Sequence, residues 1–365
     1  MVVAHHSSLA YTTFAHFDPK HMFASTAPIV DSARWDFLDY AENFNDVFFM
    51  SLMFFVSGLF VHSALKRHGT WRFVRDRFLR LGVPFIAAVT LVMPVAYYAS
   101  WTLTGRNVGF ADFYRKIASW GFVAGPPWFV WVLLLFDVAL AFLIAPFTNR
   151  LEPSERKTTS LEGKPVVLYV VLFFASSLVY LPLLARYGFG TWTNFFVPPL
   201  SFQISRIGLY GLWFVFGYWI GSGGRQTGFL APRGPLASNW PWWLGACLVF
   251  YNALWFVPKL PLPPAVLYVL QPSLWVASCC ASCFAFLAVF RGVRIHRNRI
   301  MDSLSRSAYI MYLIHYVFVM WAQWLLLPVS MPAQAKFLIV FCVAGFLSWV
   351  SAEVLLRVPG FSRVL

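Results

Sequence analysis

Long apolar segments alternate with short polar connectors along this chain of 365 residues. The first clear pair of apolar segments occupies residues 47–65 and 81–101, and a connector rich in lysine and arginine separates them. At about 1.5 Å of rise per residue, each segment is long enough to cross a hydrocarbon core about 30 Å thick. The pattern therefore predicts two membrane-spanning helices joined by a basic turn.

Further apolar segments extend this pattern over the rest of the chain. Residues 1–17 predict a helix of only about 25 Å, which suggests that the sequence begins inside a truncated first helix. An acidic connector without regular structure is expected at 18–46. The other helices are predicted at 128–147, 166–185, 205–221, 240–257, 265–290, 303–327 and 336–355. We expect an all-α polytopic membrane protein of about ten helices, with one domain over residues 1–365.

The composition supports a membrane environment. Hydrophobic residues make up 59% of the chain and charged residues only 12%, whereas soluble domains have about 25% charged residues. The net charge of +14 is concentrated in connectors, so we expect the lipid bilayer as a partner and no nucleic acid. The five cysteines all lie in apolar segments and are interpreted as packing residues. No set of His, Cys and carboxylate residues has convincing ligand spacing, so no metal is predicted.

The basic residues are unevenly divided between the two sides of the predicted topology. With ten crossings, 19 of the 28 lysines and arginines fall on the side that also holds both termini. Connectors rich in Lys and Arg usually stay in the cytoplasm. The distribution predicts a cell-membrane protein with both termini cytoplasmic.

A few ionisable residues lie within the predicted membrane segments, where they are costly and are candidates for function. On the residues alone, an enzyme and a multi-pass transporter or glycan exporter explain them about equally well. Against a transporter stands the lack of a visible repeat or of paired broken helices. These ionisable residues are His5, His6, His62, Asp137, His315 and Glu353.

Several segments together resemble the membrane acyltransferase-3 family. Residues 303–321, SLSRSAYIMYLIHYVFVMW, resemble its S-Y-x-x-Y-x-x-H helix, and residues 48–85 resemble its PLFFFLSG…RFxRLxxPF hairpin. Residues 126–137, PPWFVWVLLLFD, resemble its PxWFLWxLLxFD helix. The resemblance implies an enzyme that moves an acetyl or succinyl group from cytoplasmic acyl-CoA to a hydroxyl of an extracytoplasmic glycan or other envelope molecule.

The family's signature is an arginine, ten intervening residues and a histidine in the first helix. His6 matches this histidine best, because HSSLAY resembles the pattern H-x-S-L-x-Y, and His5 is the second candidate. The partner arginine would precede Met1, so an inactive truncated member of the family is a further alternative. The role implied for the histidine is that of a general base, which suits a side chain with a reference pKa near 6.5.

The resemblance also implies a donor site. Arg77 and Arg80 match the family's basic pair before the third helix, with Arg75 beside them, and His315 matches a further family histidine. Guanidinium groups bind phosphate through two parallel hydrogen bonds, so this cluster is expected to hold the nucleotide end of acyl-CoA. Acyl-CoA enters as a co-substrate, and no permanently bound cofactor is expected.

Overall fold

The computed structural model describes residues 1–106, 109–146, 160–224, 228–293 and 298–359. This part of the chain is mostly helical, with one small β-hairpin. Its helices and strands, in chain order, are α1 (Val2–Leu9), α2 (Asp36–Gly58), α3 (Val61–His68), α4 (Thr70–Thr102), α5 (Phe110–Ser119), α6 (Trp128–Ile144), α7 (Pro165–Tyr187), β1 (Trp192–Asn194), β2 (Ser201–Gln203), α8 (Ile207–Ser222), α9 (Pro235–Ser238), α10 (Trp240–Phe256), α11 (Pro264–Gly292), α12 (Arg299–Leu326) and α13 (Ala333–Leu356).

Six helices of the described residues are long and apolar enough to cross a membrane. They are Asp36–His68, which joins α2 and α3, together with α4, α7, α11, α12 and α13. Helices α6 and α8 are also apolar but have only 17 and 16 residues. The polytopic membrane character predicted from the sequence is confirmed, whereas the expected number of about ten helices is not.

The first helix is much shorter than predicted. It ends at Leu9 instead of continuing to residue 17. The hydroxyl groups of Ser8 and Thr12 bond to carbonyl oxygens three residues earlier. The carbonyl of Ala10 is taken by the backbone N–H of Asp31, at 3.0 Å. Because this later loop supplies the hydrogen-bond donor for the Ala10 carbonyl, the chain can leave the α-helical conformation after Leu9.

The acidic connector is also shorter than predicted, because α2 begins at Asp36 and not near residue 47. Asp36 and Asp39 lie in its first turn, where carboxylates interact favourably with the positive end of the helix dipole. The carboxylate of Asp39 also accepts hydrogen bonds from the backbone and side chain of Thr13. The other two acids of α2, Glu42 and Asp46, therefore lie on a helix face and not in a loop.

The basic connector is helical as well. Gly69, with a φ of 70°, makes the turn, and α4 then runs without a break from Thr70 to Thr102. Two π-helical turns interrupt α4, at Phe78–Gly82 and at Ala88–Val92. Each is followed by an α-helical stretch, Val83–Ala87 or Met93–Thr102, whose second residue is a proline, Pro84 or Pro94. Proline has no N–H to offer and crowds the carbonyl four residues earlier, which disturbs an α-helix at this point.

A side chain compensates for one of these prolines. The carbonyl of Arg80 lies four residues before Pro84 and accepts a hydrogen bond of 2.9 Å from the Tyr309 hydroxyl of α12. Further along the same pair of helices, the indole N–H of Trp321 donates to the carbonyl of Val95 at 3.0 Å. Helices α4 and α12 therefore run side by side in the same direction.

Helices α2 and α8 approach each other closely in the core. Gly217 and Gly221 of α8 face the α2 backbone so closely that a Cβ atom would overlap the carbonyl oxygens of Phe55 and Leu59. Gly58 of α2 faces the carbonyl of Phe214 in the same way. Small residues allow this kind of approach between membrane helices, so the three glycines fix α8 against α2.

Helix α5 and the β-hairpin are among the elements that were not predicted from the sequence. Helix α5 buries Phe113 and Ile117 on one face and leaves charged residues on the other. Strands β1 and β2 form an antiparallel hairpin in which Trp192 pairs with Gln203. The carbonyl of Ser201 accepts a 2.8 Å hydrogen bond from the Trp131 indole of α6, which ties this hairpin to the helix bundle.

Candidate active site

Three histidines from opposite ends of the sequence meet inside the protein. The rings of His5 and His6 on α1 are 5.0 Å apart between centroids, and the ring of His6 is 5.3 Å from that of His315 on α12. His6 also contacts the ring of Tyr316 at 5.0 Å. His315 is completely buried. The three histidines singled out from the sequence thus form one cluster, although more than 300 positions separate them.

Helix α1 is held in place by several contacts with later parts of the chain. The side-chain amide of Gln323 on α12 donates to the carbonyls of His6, at 2.9 Å, and Ser7, at 3.3 Å. The loop that follows α1 is fixed by a buried ion pair between Lys336 and Asp31, at 2.7 Å. A short helix with few internal hydrogen bonds would be marginal alone, so these contacts determine where His5 and His6 lie.

A cavity of about 570 Å³ opens beside His5 and His6. It is bounded by the loop after α1 and by the β-hairpin. Its wall combines aromatic rings with amide and acid side chains, and His315 lies behind this wall without lining it. The lining includes Asn45, Asp46, Tyr97, Trp128, Trp192, Asn194, Gln203, Tyr210, Tyr312 and Tyr316. A mixture of flat apolar surfaces and hydrogen-bonding groups is typical of a small-molecule site.

A charged network lies on the α2 side of the cavity. The guanidinium group of Arg206 donates to both carboxylate oxygens of Asp46, at 2.8 and 2.6 Å. Arg206 also stacks between Phe189, at 4.4 Å, and Trp275, at 5.2 Å. One helical turn from Asp46, the carboxylate of Glu42 lies 3.6 Å from Nδ1 of His5. The histidine cluster therefore borders carboxylates on one side.

The three predicted donor residues lie elsewhere, at what we call the arginine end of the bundle (Arg75, Arg77 and Arg80). Arg77 pairs with the buried carboxylate of Asp137 at 3.2 Å, and Arg75 with the neighbouring Asp76 at 3.0 Å. Arg80 is exposed. The carbonyl of Arg80 contacts Tyr309, which precedes His315 by six positions, or about 9 Å along α12.

The arginine end and the cavity face opposite ends of the bundle. Ser100, near the end of α4 remote from the arginines, donates to the carbonyl of Pro28 in the loop that borders the cavity, at 2.6 Å. The indole of Trp324 donates to the Thr102 hydroxyl at the same end, at 2.9 Å. The histidine cluster therefore lies between the two ends, with the cavity on one side and the arginines on the other.

Sequence reasoning did not identify several residues of this site. Arg206, Asp46, Glu42 and Gln323 were not candidates. For the two acids a signal was present, because positions 39, 42 and 46 follow the three-to-four residue period of a helix face. For Gln323 and Arg206 the sequence offers none, since only the fold brings them to α1 and α2.

Among the described residues, no group of three or more His, Cys, Asp or Glu side chains could hold a metal ion. Four cysteines are buried, and Cys247 lies 3.3 Å from the hydroxyl of Ser282. The polar groups available for chemistry at the cavity are therefore imidazole, carboxylate, amide and hydroxyl groups.

A buried histidine cluster among helices that are long and apolar enough to cross a membrane fits either a membrane enzyme or a carrier. The comparison with known proteins distinguishes these classes. A family model described as an acyltransferase domain matches residues 1–353. The chain belongs to this acyltransferase-3 family, as its motifs suggested. No curated protein and no solved structure matches it.

Proposed function

We propose that this acyltransferase is an O-acyltransferase that uses acyl-CoA bound at the arginine end and an acceptor hydroxyl bound in the cavity. The observation that carries the proposal is the position of His5 and His6, which both line the cavity, together with the contact of His6 with a third histidine, His315. The acceptor comes from one end of the bundle and the donor from the other. The two substrates meet at the histidine cluster.

The chemistry requires a base at this point. A sugar hydroxyl is a weak nucleophile at neutral pH, and a positioned histidine raises its reactivity by accepting its proton. In the proposed reaction the hydroxyl oxygen attacks the thioester carbonyl, a C–O bond forms and the C–S bond breaks. The proton passes from the hydroxyl to His6 and then to the departing thiolate, so that free coenzyme A and an ester are the products.

The arginine end suits the nucleotide end of the donor. Arg75 and Arg80 are largely exposed there, while Arg77 is partly buried against Asp137. Exposed guanidinium groups bind phosphate bidentately. From this end the pantetheine arm would reach the histidines, since Tyr309 and His315 are only about 9 Å apart along α12.

The cavity suits a glycan or a similar polyhydroxyl acceptor. Trp128 and Trp192 lie edge to face, 5.4 Å apart, and offer flat apolar surfaces for a sugar ring. Asn194 and Gln203 lie on the two strands beside them and provide both donors and acceptors for hydroxyl groups. An acetyl or a succinyl group is the expected acyl group.

The orientation in the membrane follows from charge. In the topology predicted from the sequence, 19 of the 28 lysines and arginines share a side with the arginine end, and connectors rich in Lys and Arg usually remain in the cytoplasm. We therefore propose a cell-membrane location in which the arginine end and both termini face the cytoplasm, where acyl-CoA is made, and the cavity faces the envelope.

Sealed vesicles of opposite orientation test this proposal. Radiolabelled acetyl-CoA or succinyl-CoA is added outside inverted vesicles, which expose the cytoplasmic face, and outside right-side-out vesicles. We expect covalent, alkali-labile label on envelope material only in the inverted vesicles. Label transferred equally in both orientations would contradict the sidedness, and accumulation of unmodified glycan without covalent label would favour a transporter.

A further inference from the structure

Three buried ring nitrogens in the histidine cluster lack a hydrogen-bond partner among the described residues, and the one on His5, Nδ1, lies 3.6 Å from the carboxylate of Glu42. Nδ1 of His6 and Nε2 of His315 are both buried, and neither has a hydrogen bond within the described part of the chain. Buried polar atoms are almost always hydrogen-bonded in folded proteins. The two rings are 5.3 Å apart between centroids and tilted by 33°. Two imidazole rings at this centroid separation can bring facing edges within hydrogen-bond distance after a small rotation of either side chain.

The tautomer of His315 follows from its other nitrogen. Nδ1 of His315 lies 2.7 Å from the carbonyl oxygen of Tyr312. A carbonyl only accepts hydrogen bonds, so Nδ1 carries the hydrogen. A neutral imidazole has a single N–H group, and Nε2 of His315 is therefore left as an acceptor. The nearby His6 is the ring that can donate to it.

We propose that His315 is a positioning residue that fixes the tautomer of His6. In the proposed arrangement a small rotation of either ring lets His6 donate its Nδ1–H to Nε2 of His315, so that the lone pair of His6 lies on Nε2, the nitrogen left free to act as the base. His6 lines the cavity whereas His315 does not. This inference rests on the proposed function, because it explains how His6 is prepared to accept a proton from the acceptor hydroxyl.

Helix α12 would then position both the backbone and the side chain of His6. Helix α12 holds the His6 backbone through Gln323, at 2.9 Å, and its side chain through His315. A base must lie within hydrogen-bond reach of the proton that it accepts, in the correct protonation form. Because α1 has only eight residues, an external support of this kind is what keeps the imidazole in register with the substrate.

Two amide substitutions distinguish the roles of the two ring nitrogens of His315. In His315→Gln the amide oxygen reaches the position of Nε2, whereas in His315→Asn the amide reaches only the position of Nδ1. We expect His315→Gln to keep at least about a tenth of the wild-type rate. His315→Asn and His315→Ala should lose more of the rate, up to the ~10²–10⁴-fold that general-base catalysis contributes. The assay is transfer from labelled acetyl-CoA or succinyl-CoA to envelope material in membranes.

Further measurements separate positioning from a merely structural role. Each variant is checked for a monodisperse peak in detergent and for coenzyme A affinity, which should stay at the wild-type value because the donor binds at the arginine end. The loss should appear in kcat and not in KM for the donor. The double variant His6→Ala/His315→Ala should be no slower than His6→Ala alone, because residues that act as a unit are not additive.

The inference is overturned if His315→Gln and His315→Asn are equally impaired while folded, or if all three variants transfer at the wild-type rate. In either case the proposed function stands as long as His6→Ala is inactive. If instead His6→Ala is fully active, the assignment of the base fails and the role of His315 fails with it.

Discussion

Arg206 and Asp46 form a two-point ion pair between the start of α8 and the middle of α2, with nitrogen–oxygen distances of 2.8 and 2.6 Å. The two partners differ in their surroundings. The Arg206 side chain is 1% exposed, whereas that of Asp46 is 27% exposed and faces the cavity. The pair therefore joins the cavity wall to the close contact between α2 and α8.

Removing the carboxylate should destabilise the protein strongly. Asp46→Asn leaves a fully buried guanidinium without a counter-charge, and breaking a buried pair in this way costs about 3–5 kcal/mol. Asp36→Asn makes the same change at an exposed position of α2 and should cost less than about 1 kcal/mol. Unfolding midpoints of the two variants in detergent measure the difference. Similar midpoints would show that Arg206 does not depend on Asp46.

The arginine end allows the donor site to be tested without disturbing the fold. Arg80 is exposed and its side chain has no ion pair with another described residue. If it binds a phosphate of acyl-CoA, Arg80→Ala should weaken coenzyme A binding by roughly ten- to a hundred-fold, the value of a hydrogen bond to a charged group. Arg72→Ala removes an equivalent exposed charge and should have little effect. Calorimetric titration of both variants with coenzyme A is the measurement.

Arg77 requires a paired experiment, because it also neutralises Asp137. The Asp137 side chain is 1% exposed and lies 3.2 Å from Arg77, so Arg77→Ala alone leaves a buried charge and should lower stability. The double variant Arg77→Ala/Asp137→Asn should regain much of the lost stability. If the double variant also binds coenzyme A like the wild type, Arg77 serves the fold and not the donor.

The contact between α2 and α8 predicts a different kind of defect. At Gly217 a methyl group would overlap the Phe55 carbonyl, so Gly217→Ala should force the helices apart at a cost of about 1–3 kcal/mol or more. Gly245 in α10 has open space around it, and Gly245→Ala should be neutral or slightly stabilising because alanine favours helix. Thermal unfolding in detergent compares the two. Equal stability would contradict the tight packing.

The apolar segments predicted the helical, membrane-spanning character because burial in a bilayer requires long apolar runs with satisfied backbone groups. Helix ends were predicted less well. The start of α2 at Asp36 and the helical basic connector were missed, since polar residues at the ends of a membrane helix look like loop residues in a hydropathy pattern. The hydrogen bond from Tyr309 to the carbonyl of Arg80, which compensates for Pro84, comes from a helix distant in the sequence and cannot be predicted from the residues around Pro84.

The candidate site was predictable only in part. Imidazole groups in apolar segments are unusual enough to identify His5, His6 and His315, and the structure brings all three together. The supporting residues Gln323 and Arg206 were not predictable, because amide and charged side chains near helix ends are common and only the fold shows what they contact.

The central claim is that His6 is the base that activates the acceptor hydroxyl. We expect His6→Ala to reduce acyl transfer by roughly 10²–10⁴-fold while coenzyme A affinity stays at the wild-type value. His5→Ala is the matched control, since it removes the neighbouring imidazole from the same helix, and it should have a much milder effect. The measurement is the rate of covalent label transfer from acyl-CoA to envelope material in membranes. A wild-type rate for His6→Ala together with an inactive His5→Ala would assign the base to His5 and contradict the claim.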